Sequence, residues 1–304
     1  TARDHRRRST PGRPRGPARP DWPRRRGPRP NPPGSRHSRG RFRVSFHRAP
    51  EPGQGRVGAG GGVLRSGRRA GGGGLFAQNA SFMLSDSVVI SNTAYEGGGG
   101  GIYLDGCTAT LSNCLVAANA SWTSWGGTGG GIHNKGGTLQ ILNCIIRNNY
   151  AHAQNGGCAS HGGGIYVESG SVTIKHTRIH DNRLTTSTGP RRGHGIFQFN
   201  GSLLVENCVV ATNWGHGIFY SNGVATVKNT ILWDNGDDVV GFPTNGFGVI
   251  TNIWYSCIQD GDNNGVNGCI DLNPLFVNFS TRDFHLRSLG GYWDGQKWVP
   301  DYDV

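Results

Sequence analysis

The sequence predicts an all-β chain, a right-handed parallel β-helix of about seven coils behind a disordered N-terminal tail. Three observations carry this. An apolar residue ends a glycine run at Leu75, Ile102, Ile132, Ile165, Ile196 and Ile218, with Val249 as a degenerate seventh anchor. Twelve residues after each of the first six stands a small side chain, namely Ser87, Cys114, Cys144, Thr177, Cys208 and Thr230. Seventeen residues after each stands an asparagine: Asn92, Asn119, Asn149, Asn182, Asn213 and Asn235. A fixed internal frame with variable spacing between copies is the mark of a solenoid. The 52 glycines argue against helices, where each costs about 1 kcal/mol.

Residues 1–70 are read as a disordered tail rich in Arg, Pro and Gly. They hold 20 Arg against 3 acidic residues, whereas the rest of the chain holds 11 basic against 16 acidic. Such a composition buries too little apolar surface to offset the entropy of ordering. Clustered Arg binds phosphate without sequence preference, yet only Trp22, Phe42 and Phe46 are present for base stacking, so nucleic acid is not favoured as a partner. A solvated tail is one alternative. Another is a GC-rich gene read out of frame, with the true frame resuming near Gly71.

Residues 71–260 form the expected β-helix. Pairs such as Leu139/Ile141 and Val172/Ile174 alternate with period two, as a half-buried strand does, and Cys144/Ile146 and Thr177/Ile179 repeat the pattern. Between them Asp86, Asn113, Asn143, His176, Asn207 and Asn229 suit a bend. The anchor opens a third short strand. The ladder asparagine also suits a bend, because it tolerates the left-handed region and its amide can bond the coil above.

All insertion falls between the column asparagine and the next glycine pair. These connections hold Trp122 and Trp125, then Tyr150, His152, Cys158 and His161, then Arg191 and Arg192, then Asp237, Asp238 and Phe242. Loops on a rigid scaffold commonly carry function, so this edge is the expected binding surface. Residues 261–304 lose the repeat and read as a C-terminal cap with short strands at Pro274–Val277 and Asp283–Leu286. The chain then stops without an anchor, which reads as a fragment. No apolar run approaches the roughly 20 residues of a membrane helix, and no hydrophobic signal core is visible.

The Gly-Gly-Gly-Ile-Tyr and Asn-Cys-x-(Val/Ile)-x-x-Asn repeats, followed by Ile270–Val277 and Asp283–Leu286, resemble bacterial right-handed parallel β-helix repeat proteins of the surface-anchored type. They are also similar to the repeats of polymorphic outer membrane proteins and autotransporter passengers. The resemblance covers residues 71 to about 298. It implies mainly a location at or beyond the cell surface, and the leading reading is a non-catalytic extracellular or cell-surface scaffold, adhesive or glycan-contacting through its insertion edge, with a polysaccharide or cell-surface glycan as partner.

The same fold resembles the pectin-degrading enzymes, so a polysaccharide lyase or glycoside hydrolase is the alternative. Gly236-Asp237-Asp238 and Gly215-His216-Gly217 match two motifs of that hydrolase family, and make Asp237, Asp238 and His216 the catalytic candidates. Their order along the chain is reversed, however, and the Asn-Thr-Asp and Arg-x-Lys motifs are absent.

Trp122, Trp125, Tyr150 and His152 are the glycan-binding candidates, because indole, phenol and imidazole rings stack on sugar faces. A column of rings one residue after each anchor, Phe76, Tyr103, His133, Tyr166, Phe197 and Phe219, has two readings: an outward sugar platform, or rings stabilising one another up the axis. Asp260, Asp262, Asn264 and Asp271 have the spacing of a calcium loop, although Asn267 stands where an apolar residue is usual. No other cofactor is expected. Seven cysteines, an odd number, leave at least one unpaired; Cys114, Cys144 and Cys208, with Cys257 continuing their column, are read as buried free thiols in preference to a Cys114–Cys144 disulfide.

Overall fold

The computed structural model describes residues 63–65, 72–155, 158–186, 189–241, 250–287, 292–293 and 298–299. Most of the expected tail lies outside them. Within the described residues of that tail, Val63–Arg65 forms a strand paired antiparallel with Phe76–Gln78, across the edge of the first coil.

The chain winds as a parallel β-helix. Its first sheet runs through the anchors, with Ile102, Ile132 and Ile165 in exact lateral register. In the third and fourth coils one strand continues round a bend, as Ile132–Leu142 and Ile165–Lys175. The second sheet stacks seven strands, from Val88–Ile90 to Cys257–Ile258, so the stack makes six turns from its first rung to its last. The third sheet has four strands: Thr93–Tyr95, Ala120–Thr123, Tyr150–Ala153 and Arg183–Thr186.

Period-two alternation sends both apolar residues of each pair inward on every rung. Ile132, Leu139, Ile141 and Ile146 are all fully buried in one continuous core that runs the length of the stack. The bend residues Asp86, Asn113, Asn143, His176, Asn207 and Asn229 adopt left-handed φ between 47° and 54°. This is the conformation expected of them.

The small-residue column has a more specific cause than size. Each member donates to the carbonyl two residues before it: Ser87 to Ser85, Cys114 to Ser112, Cys144 to Leu142, Thr177 to Lys175, Cys208 to Glu206 and Thr230 to Lys228. Only a short side chain carrying an O–H or S–H can bond a carbonyl turned inward by the bend. Ser256 continues the series by donating to Trp254 at 2.9 Å. This corrects the assignment of Cys257, which pairs with Ile231 one position further on.

The asparagine ladder also departs from expectation. The left-handed residue at that corner is the one before each asparagine, such as Ala118, Asn148 and Asp181. The asparagine itself turns inward, and Asn119, Asn149 and Asn182 are buried. There each bonds the next: Asn119 Nδ2 donates to Asn149 Oδ1 and Asn149 Nδ2 to Asn182 Oδ1, both at 3.1 Å.

The seventh anchor is Val239, which pairs with Ile218; Val249 lies outside the described residues. Asp237 and Asp238 stand where earlier coils have Gly-Gly or His-Gly, so the glycine signal is lost on that rung.

The C-terminal segment does two things. Cys269 packs into the end of the main core, and Ile258 N–H donates to the Ile270 carbonyl at 2.8 Å. The antiparallel pair Phe276–Asn278 and Asp283–Leu286 instead lies against the outer side of the second sheet. Phe276 and Phe284 are buried there with Ala211, against Val209, Ile231 and Trp233.

Candidate functional site on the insertion edge

Alternation on the third sheet buries Ala94, Ser121, Ala151 and Leu184 and turns two columns outward. One reads Thr93, Ala120, Tyr150, Arg183; the other reads Tyr95, Trp122, His152, Thr185, each in register with the next. Trp214, 71% exposed, extends the first column, because its N–H bonds the Asn182 carbonyl just as Arg183 N–H bonds that of Asn149.

This register brings three of the four glycan-binding candidates together. Trp122 and His152 lie 4.4 Å apart by ring centroids, and Tyr150 stacks on His152 at 5.8 Å. The Arg183 guanidinium sits 4.7 Å over the Tyr150 ring and 5.8 Å from Trp214. Polar groups of the strip are engaged internally: Thr185 Oγ1 lies 2.5 Å from the Tyr150 hydroxyl and 2.8 Å from His152 Nδ1. Rings this close shade one another, so the open faces belong to the ends of the strip.

Trp125 stands apart at the end of its strand and is 78% exposed. The loop beneath it is pinned. Ser124 donates from its N–H and its hydroxyl to the Glu96 carboxylate at 3.1 and 2.5 Å, and Gly126 N–H donates to Thr123 Oγ1 at 2.8 Å. The Ser124 bonds hold the Glu96 carboxyl below its ordinary pKa. Arg183, Trp214 and Tyr95 were missed as site residues from sequence. Trp214 and Arg183 were nonetheless legible, since each directly follows a ladder asparagine, as Tyr150 does.

The ring column after the anchors is a packed element. Phe76–Tyr103, Tyr166–Phe197 and Phe197–Phe219 each lie 5.5 Å apart, with His133 edge-on between Tyr103 and Tyr166 at 4.7 and 4.6 Å. Tyr166, Phe197 and Phe219 are buried, and His161 from the insertion edge stacks on Phe197 at 4.5 Å. Mutual support up the axis is therefore what this column does. Burial, with Asp105 and Glu168 adding, pushes the Tyr103 hydroxyl up to about 12.

His133 is bonded at both nitrogens. Nε2 lies 2.9 Å from Glu168 Oε2 and Nδ1 lies 3.2 Å from Thr128 Oγ1. Its residue is 5% exposed, and burial lowers its pKa despite the carboxylate; that same bond holds Glu168 below its ordinary range.

The catalytic candidates are distributed as follows. His216 and Asp237 pair in register on adjacent rungs. Asp238, 2% exposed, closes the asparagine ladder: Asn235 Nδ2 donates to its Oδ1 at 2.8 Å and Gln259 N–H to its Oδ2 at 2.9 Å. Burial pushes the Asp238 carboxyl up to about 6. Its two oxygens are engaged in holding the last coil.

Of the calcium-loop residues, Asp260 and Asp262 come within 4.8 Å of Asp237, a group that does not include Asp271. Asn264 is exposed, and its N–H donates to the Gly261 carbonyl at 3.0 Å. Burial and mutual repulsion raise the pKa of Asp237 and Asp262. A calcium ion takes 6–8 oxygens, so these three exposed carboxylates would leave much of its shell to water.

Residues 154–269 match the family described as right handed beta helix region. Those residues resemble that family, and the described coils fold as a right-handed parallel β-helix. The coils before residue 154 lie outside that match, yet they carry the same asparagine ladder and the same register. No curated protein matches the chain, and no solved structure does. Among the described residues no helix is long and apolar enough to cross a membrane.

Proposed function

We propose that this β-helix is an extracellular or cell-surface scaffold that contacts glycans at the aromatic corner of its third sheet and insertion edge. The observation that carries the reading is Trp125, an exposed indole on a loop pinned by the Ser124–Glu96 bonds just past the Trp122 strand. An exposed ring of this size on a fixed loop gains from covering its face, and the C–H face of a pyranose is a partner of matching size. Tyr95, Trp122 and Trp214 extend the same corner along the axis. The test is affinity electrophoresis of the full chain through a panel of plant and algal polysaccharides, beside Trp125→Ala and Trp122→Ala. Retardation that weakens in both variants is expected; no retardation, or none that depends on the tryptophans, removes the reading.

A pectin-degrading lyase or hydrolase is the second reading, and the register of His216 with Asp237 favours it. It requires release of reducing ends or unsaturated uronates from acidic polysaccharides. Loss of that release in Asp237→Asn would support it, and absence of release would remove it.

A further inference from the structure

The ring column holds one imidazole, His133, where the other five of its first six rungs have Phe or Tyr. That imidazole joins two groups that the chain places far apart, a hydroxyl from the insertion edge and a carboxylate from the next coil. We propose that Thr128, His133 and Glu168 form a nucleophilic acyl-transfer site, with Thr128 as nucleophile, His133 as its base and Glu168 as the group that orients the base.

The geometry fixes the roles. Glu168 can only accept at Oε2, so the bond at 2.9 Å places the imidazole proton on Nε2. Nδ1 is then a lone pair, and at 3.2 Å it accepts the Thr128 hydroxyl proton. A hydroxyl bonded to a base that is itself bonded to a carboxylate is the arrangement that activates serine and threonine on unrelated folds. Tyr103 and Tyr166, edge-on to the imidazole from both sides, hold the ring in the plane that both bonds need. Gly98 completes the fit. A Cβ there would stand 2.0 Å from His133 Nδ1 and 2.7 Å from Thr128 Oγ1, so any other residue would push the two apart.

In the reaction, Thr128 Oγ1 bonds the carbonyl carbon of an ester while its proton passes to His133 Nδ1. The ester C–O bond breaks and the leaving alcohol takes that proton. Water then attacks the acyl-threonine, giving its proton to Nδ1, and the carboxylic acid leaves as Thr128 regains its hydrogen. The substrate class is an ester of a small acyl group such as acetyl, because Thr128 is half-buried and Gly98 packs directly against its hydroxyl and the His133 imidazole. This site does not depend on the glycan reading.

The test uses p-nitrophenyl acetate with the full chain, followed by peptide mapping of the acetyl group. Wild type and Thr128→Ser should release p-nitrophenolate and carry acetyl on residue 128. Thr128→Ala and His133→Phe, the latter keeping a ring in the column, should lose at least about 10²-fold in rate. Glu168→Gln should lose rate while leaving the coil intact by thermal melting, and it replaces His133→Phe should that variant not fold. Activity should persist below the pH at which free imidazole protonates, since burial outweighs Glu168 and Asp105, and Lys135 adds to it; the Tyr103 and Tyr166 hydroxyls stay neutral. Acetyl found elsewhere with residue 128 unmodified, or a Thr128→Ala rate equal to wild type, would overturn the assignment.

Discussion

Asn149 Nδ2 donates to Asn182 Oδ1 at 3.1 Å and to the Val116 carbonyl at 3.0 Å, while its Oδ1 accepts the Asn119 N–H at 3.1 Å. One buried amide thus serves three coils. Asn149→Ala leaves the Val116 carbonyl and the Asn119 N–H without these partners, at about 1–3 kcal/mol for each buried group. A loss of roughly 3 kcal/mol or more is expected from urea unfolding. Asn92, half-buried at the first coil, donates upward only to Asn119, so Asn92→Ala should cost well under half as much. Equal losses at the two positions would contradict a ladder whose weight lies in its buried rungs.

The C-terminal pair of strands is fastened to the fourth coil. Arg282, in left-handed conformation at φ 66°, donates Nη2 to Asp181 Oδ1 at 2.7 Å and Nε to Oδ2 at 3.0 Å. Thr212 Oγ1 also donates to Asp181, and His180 Nδ1 lies 2.9 Å away. Two nitrogens of one guanidinium on one carboxylate fix direction as well as charge. Arg282→Ala should therefore free the strap from the second sheet before the coils unfold. Limited proteolysis should then cut between Phe276 and Leu286 while the coils stay protected, and an uncut strap would show that Phe276 and Phe284 suffice to hold it.

Burial lowers the pKa of His161 and His194 to about 4, and Arg192 and His216 add repulsion at the same corner. Their Nδ1 atoms are buried without a protein partner. Unfolded histidine titrates near 6.5, so between about 6.5 and 4 the unfolded chain binds more protons and stability falls as pH falls. Each group contributes up to about 1.4 kcal/mol per pH unit in that window. Asp238, raised to about 6 by burial, acts in the opposite sense, because the folded chain takes up its proton first. His194→Gln with His161→Phe should flatten the fall between pH 6.5 and 4.5 in urea titrations, and an unchanged slope would show that other groups carry it.

How legible each part was follows from what fixes it. Coil residues repeat because stacked rungs meet the same neighbour each turn, so Ile132, Cys144 and Asn149 announce themselves by spacing. The seventh rung was misplaced at Val249 because Asp237 and Asp238 replace the glycines before Val239, and no spacing rule foresees a buried Asp closing an asparagine ladder. Cys257 drew attention by residue type, whereas the column needs a short donor and Ser256 supplies it. Trp122, Tyr150 and His152 were found because they interrupt the repeat, yet their mutual contacts come from strand register alone. Thr128 and Glu168 left no signal, and His133 showed only as a member of the ring column. Neither Thr128 nor Glu168 recurs in the repeat, and only the winding of the coil brings His133 and Glu168, residues 35 apart, to 2.9 Å.

The thiol column makes a last claim that distinguishes donor chemistry from size. Six cysteines are buried and free, and only Cys158 on the insertion edge is half-exposed. Cys144 Sγ donates to the Leu142 carbonyl at 3.2 Å and also accepts the Cys114 N–H at 3.4 Å. Serine can do both, as Ser256 does when it donates to Trp254 and accepts the Thr230 N–H at 3.3 Å. Valine can do neither and adds bulk at a bend. Cys144→Ser should therefore stay within about 1 kcal/mol of wild type, whereas Cys144→Val should lose about 2 kcal/mol or more by leaving buried groups unpaired. In the native protein a thiol reagent should titrate Cys158 alone, and all seven cysteines should react in denaturant. Equal stability of the serine and valine variants would mean that volume, and not the bond to the bend carbonyl, selects the column.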